Sequence, residues 1–120
     1  MTQNEQTPER SIDTILEWFK VTVEAKAPIP PTKWVEAGEF LNVLIGGEND
    51  KLVELETLVG KLKLEYLKES KSVAEVKIKI EADPTYALAK KQKNKIAQII
   101  EFIRLAKLHA RIYSDELRGN

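Results

Sequence analysis

The chain has 120 residues, 42% of them apolar and 32% charged, with 19 basic and 19 acidic side chains and no cysteine. That length suits one domain able to bury a modest core without disulfides or a structural metal. The lack of cysteine excludes thiolate chemistry, no apolar run approaches the ~20 residues of a membrane span, and the polar start MTQNEQTPER lacks the basic and apolar segments of a signal peptide. A cytoplasmic protein without cofactors is the expectation.

Taken in chain order, the first seven residues read as disordered. Thr7 before Pro8 can start a helix, because proline is welcome at the first helical position. Ile12, Ile15, Leu16 and Phe19 then recur at helical spacing, giving a helix over about 8–25. The prolines of KAPIPP end it. Thr32 can cap a second helix, KWVEAGEFLNVLI, whose wide apolar face includes Trp34, Phe40, Leu41, Leu44 and Ile45. Both Trp18 and Trp34 read as core. Gly46 and Gly47 follow an apolar run, the usual place for a helix to stop, so GGEND is expected to turn and Asn49 or Asp50 to open a third helix.

Leu52, Leu55, Val59, Leu62 and Tyr66 are spaced by threes and fours and form one stripe of that helix. Gly60 interrupts it at a cost of about 1 kcal/mol, which suggests that another helix approaches there. Ser72 and Glu75 match a capping box. After them, VKIKIE alternates as a strand would, but nothing else in the chain alternates to pair with it, so it reads as helix. Asp83 and Pro84 then supply a cap and a first-turn proline for a long helix over 84–116. Ala89, Ile96, Ile103 and Ala110 recur every seven residues, with Gln92, Ile99, Ala106 and Tyr113 between them. The predicted fold is all-α, a single domain of four to five helices. Two long helices form an antiparallel hairpin, with shorter N-terminal helices packed against it. The apolar seam around Ile96, Ile99, Ile103 and Ala106 is long enough to suggest a homo-oligomer that uses it partly between subunits.

Charge is distributed unevenly. Residues 1–60 hold five Lys or Arg against eleven Asp or Glu, whereas residues 61–120 hold fourteen against eight. The last helix carries Lys90, Lys91, Lys93, Lys95, Arg104, Lys107 and Arg111, and Lys71, Lys77 and Lys79 can extend the same positive surface. Three readings are open. The cations bind the phosphate backbone of single-stranded nucleic acid without sequence preference, they dock an acidic protein surface, or they form a solvated face opposite the acidic half of the same chain.

Catalytic patterns are thin. The one histidine, His109, has no nucleophile beside it and reads as an exposed side chain of the basic helix. Glu36 and Glu39 share a helix face and could hold Mg²⁺ as in helical nucleotide pyrophosphohydrolases. A second such pair is lacking, because Glu48 with Asp50 and Glu54 with Glu56 stand two apart and point in different directions.

The stretch KSVAEVKIKIEADPTYALAKKQKNKIAQIIEFIRLAKLHARI sets an Ala- and Lys-bearing helix, a short break and a long basic helix in succession. In that layout the last 45 or so residues resemble small early-gene proteins of tailed bacteriophages and are loosely similar to phage recombination mediators. The resemblance implies a helical, oligomeric, non-enzymatic protein of the host cytoplasm that helps load a recombinase onto single-stranded DNA.

Overall fold

The computed structural model describes residues 11–119, and these form four α-helices and no strand. Helix α1 is Ile12–Glu24, α2 is Pro31–Glu69, α3 is Val73–Ala82 and α4 is Pro84–Arg118. Helices α2 and α4 pair as a long hairpin, with a shorter N-terminal helix, as the sequence predicts. Thr7, Pro8 and the expected disordered start lie outside the described residues. Ser11 caps α1, its hydroxyl accepting from the Thr14 amide at 3.1 Å.

Helix α1 ends without a glycine. Lys26 adopts a left-handed φ of 59°. This lets its amide bond Val23 O at 2.9 Å and the Ala27 amide bond Thr22 O at 3.1 Å, which satisfies carbonyls of the last turn. Pro31 then opens α2 in the first-turn position where its missing N–H costs nothing. Thr32, expected as a cap, lies inside that helix.

The predicted break at Gly46–Gly47 does not occur, and α2 continues through both glycines to Glu69. Stopping there would have exposed four amides and four carbonyls. The inward side of α2 explains the continuity. Trp34, Gly38, Leu41, Ile45, Glu48, Leu52, Leu55, Val59, Leu62 and Tyr66 follow one another by alternating steps of four and three, and all are buried or half-buried. Glu48 occupies the place in this series where an apolar residue would have made the pattern obvious.

VKIKIE is helical, within α3. Ser72 caps it by accepting from the Glu75 amide at 3.1 Å, and the Glu75 carboxylate accepts in return from the Lys71 amide at 3.0 Å. Asp83 caps α4 through the Thr85 amide at 2.9 Å.

The chain gathers into two compact units, one made of residues up to Val43 together with Ile99 onward, the other of Leu44–Gln98. In the first, the core is aromatic. Phe19 of α1 lies 4.6 Å from Trp34 of α2 and 4.8 Å, edge-on, from Phe102 of α4. His109 stacks on Trp34 at 4.3 Å with the rings 6° from parallel. It is therefore half-buried against an aromatic face, not exposed as the sequence suggested. Trp18 departs from its predicted core role and remains 46% exposed. Leu41 and Ile99 are fully buried, each a gain of roughly 2–3 kcal/mol over exposure.

Close helix approach in this unit occurs at Gly38, where an added Cβ would sit 2.6 Å from the Ala106 Cβ. Gly60, expected in that role, has nothing within 4 Å of the corresponding position.

In the second unit, Val76 and Ile80 of α3 and Ala89 and Ile96 of α4 are buried. The Tyr66 hydroxyl donates to Asp83 Oδ2 at 2.8 Å, tying the end of α2 to the cap of α4.

Candidate functional site

Helix α4 presents the seven cations singled out by the sequence, and the fold treats them differently. In the Leu44–Gln98 unit, Lys90, Lys91 and Lys93 are exposed, with the Lys90 ammonium 5.8 Å from the Tyr86 ring centre. None of the three has an acidic partner among the described residues. Lys95 instead turns inward and lies 3.4 Å from Glu48 Oε1. Lys79 of α3 is similarly engaged, 3.4 Å from Glu75, whereas Lys71 and Lys77 are exposed.

In the other unit, Arg104 grips Glu101 one turn earlier by two hydrogen bonds, of 3.1 and 2.6 Å. The paired guanidinium holds Glu101 below the ordinary carboxylate range, and the carboxylate raises Arg104. Lys107 and Arg111 are exposed without an acidic partner among the described residues. Two of the seven predicted cations, Lys95 and Arg104, are thus neutralised within the chain, and the other five have no acidic partner among the described residues.

The outward face of α4 in this unit is not purely basic. Ile100, Leu108 and Ile112 are 54%, 43% and 46% exposed. Steps of three and four place them beside Arg104, Lys107 and Arg111 on one side of the helix. A groove of about 190 Å³ lies at the edge of that helix, lined in part by Gly38, Glu39, Asn42, Ala106 and Lys107.

The residues expected to form an oligomer seam have a different fate. Ile96, Ile99, Ile103 and Ala106 are 7%, 0%, 9% and 3% exposed within this one chain. Packing within the single chain covers them, so these four side chains leave little surface for a contact between subunits.

The polar knot at Glu48 was not foreseen from the spacing of residues. This carboxylate is 6% exposed. Gln92 donates from Nε2 to both its Oε1 and its backbone carbonyl at 2.9 Å, Lys51 donates to Oε2 at 3.1 Å, and Lys95 completes the set. Burial alone would raise the Glu48 pKa, but Gln92, Lys51 and Lys95 outweigh it and hold the group below its ordinary value. Gln92 in a seam position was the available signal, since a buried amide wants a polar partner.

Glu36 and Glu39 are both exposed on α2. Among the described residues no group of three or more His, Cys, Asp or Glu side chains could hold a metal ion, and no helix is long and apolar enough to cross a membrane.

These features define a class: an all-α helical hairpin whose basic last helix is, among the described residues, only partly paired with acids. No known protein family matches the chain, and neither does any curated protein or any solved structure.

Proposed function

We propose that the chain is a cytoplasmic helical adaptor or assembly protein whose α4 docks an acidic, amphipathic protein surface. One observation carries this reading: exposed Ile100, Leu108 and Ile112 lie among Lys107 and Arg111 on one face. Phosphate backbone needs cations and offers nothing to aliphatic side chains, whereas a protein partner covers both. The test uses a synthetic acidic helix with Leu and Glu at helical spacing as the probe. Leu108→Ser with Ile112→Ser leaves the charge unchanged and should weaken its binding about tenfold or more, the effect of losing two apolar contacts. Equal binding by that variant refutes the reading.

A second reading is favoured by Lys90, Lys91 and Lys93, which are exposed and have no acidic partner among the described residues. Here the chain is a non-enzymatic accessory protein of DNA recombination or replication that binds single-stranded DNA, as its phage-like layout implies. Titration of an oligothymidylate at two salt concentrations separates the two. This reading requires affinity that falls steeply with salt and is lost in Lys91→Glu with Lys93→Glu, yet is indifferent to the serine substitutions. Absence of binding at low salt removes it.

A further inference from the structure

Helix α2 has a second stripe that the hairpin leaves uncovered. In the Leu44–Gln98 unit, the stripe of Leu52, Leu55, Val59, Leu62 and Tyr66 is half-buried. On the far side stand Val53, Thr57, Gly60, Leu64 and Leu67, at steps of four and three, all exposed. Val53 and Leu64 are 61% and 62% exposed. The polar atom in this row is already satisfied: the Thr57 hydroxyl donates to Val53 O at 2.8 Å. Gly60 has open space where a Cβ would be, which leaves room for another backbone.

The flanks of the stripe carry charge in a particular order. Glu54 and Lys61 border one edge, and Glu56 and Lys63 border the other. All four are exposed and none has an ion-pair partner among the described residues.

We infer that this face of α2 pairs antiparallel with the same face of a second copy of the chain, centred between Leu58 and Val59. In an antiparallel helix pair the residues flanking a seam meet their own kind, edge to like edge. With this centre, Thr57 meets Gly60 of the second copy and Val53 meets Leu64. Glu54 then faces Lys61 and Glu56 faces Lys63, each contact made twice by symmetry. Other alignments lose the match. One heptad-related shift sets Glu54 against Glu54 and Glu56 against Glu56. The opposite shift sets Lys61 against Lys61 and Lys63 against Lys63, which cancels its two contacts of Glu54 with Lys68. A parallel pair in register opposes Lys63 to Lys68 twice, which cancels its two contacts of Glu56 with Lys61. Charge therefore favours one orientation and one alignment, which alone has four attractions and no like-charge contact.

The contact is short. From Val53 to Leu67 the stripe spans about 21 Å at 1.5 Å per residue, less than a stable dimer of standard size uses. The association is accordingly weak, reversible and sensitive to salt. It is independent of the α4 reading, because it uses another helix.

Sedimentation equilibrium of the full chain over a wide concentration range tests the inference. Wild type should show a monomer–dimer equilibrium. Glu54→Lys with Glu56→Lys should raise the dissociation constant about a hundredfold, because four attractions become repulsions. Lys61→Glu with Lys63→Glu should do the same. An equimolar mixture of these two variants should dimerise again, as should the chain carrying all four reversals, which preserves its composition. The serine substitutions in α4 should leave the equilibrium unchanged. A wild-type monomer up to millimolar concentration, a dimer indifferent to the reversals, or a mixture that stays monomeric while both variants keep their helical circular dichroism would each overturn the inference.

Discussion

The contact between Gly38 and Ala106 gives the sharpest prediction about stability. Replacing Gly38 with alanine improves the intrinsic helix propensity of α2 by about 1 kcal/mol. It also places a methyl group 2.6 Å from the Ala106 Cβ, well inside the 3.5–4.0 Å at which carbon atoms attract. Both atoms are fixed to their backbones, so no rotamer change relieves the overlap and the helices must separate locally. Ala106 is 3% exposed and Ile103 beside it 9%, so separation loosens a packed seam, and overpacking of that kind costs roughly 1–3 kcal/mol or more. The net expectation for Gly38→Ala is a loss of about 1–2 kcal/mol. Gly47→Ala is the internal control. It meets nothing within 4 Å and should gain up to about 1 kcal/mol. Urea unfolding followed by circular dichroism measures both. Adding Ala106→Gly to Gly38→Ala should recover most of the loss, a non-additivity expected of contacting residues. If Gly38→Ala stabilises the protein as Gly47→Ala does, the close approach is not real and the reasoning fails.

Three further perturbations probe other parts of the fold. Because the folded-state pKa of Glu48 is depressed, its stabilisation is present above the unfolded carboxylate pKa and is lost as pH falls through the folded value. Glu48→Gln should therefore lower stability at neutral pH, by about 2 kcal/mol once the exposure of Lys51 is allowed for, and should flatten the acid limb of a plot of urea midpoint against pH. Asp83→Ala removes both the cap on Thr85 and the acceptor for Tyr66, with an expected loss of about 2 kcal/mol, whereas Tyr66→Phe should cost about 1 kcal/mol because the cap survives; thermal melts distinguish them. At Lys26, whose φ is 59°, glycine should be neutral or stabilising by up to about 1 kcal/mol, and isoleucine should destabilise, since a β-branched residue resists that backbone conformation. Equal melting temperatures for the two variants would contradict this account of the α1 terminus.

Much of the fold follows from local signals that agree with one another. Ser72 with Glu75, and Asp83 with Pro84, marked the starts of α3 and α4 because capping is a short-range matter decided within four residues. The heptads of α4 likewise marked a buried seam, yet spacing alone does not say which surface covers it. The seam is filled from within the chain because α2 is longer than the sequence suggested. That length was hidden at Gly46 and Gly47, where the local preference of glycine for helix ends opposes a seam running on both sides. Glu48 deepened the ambiguity, since an acid in the stripe reads as the end of an apolar face. The charge surface was legible in part. Lys90, Lys91, Lys93, Lys107 and Arg111 are exposed, as composition suggests for a basic helix. Lys95 and Arg104 are engaged because of partners, Glu48 and Glu101, whose relevance depends on facing helices in one case and on rotamers in the other. Exposed Ile100, Leu108 and Ile112 were obscured for a related reason, because their spacing also suits a broad buried face.

A seam built from heptads has a built-in weakness: sliding one helix by seven residues along its neighbour still sets aliphatic against aliphatic. Glu48 breaks that degeneracy. Moved by one repeat, α4 would bring Thr85 or Ile99 to the carboxylate in place of Gln92 and carry Lys95 away, leaving the buried anion with only Lys51 of its own helix, an exposed side chain that offsets little of the desolvation. The acid in the middle of the greasy stripe thus acts as an alignment pin, and the chain gives up some cohesion there in exchange for closing in only one way.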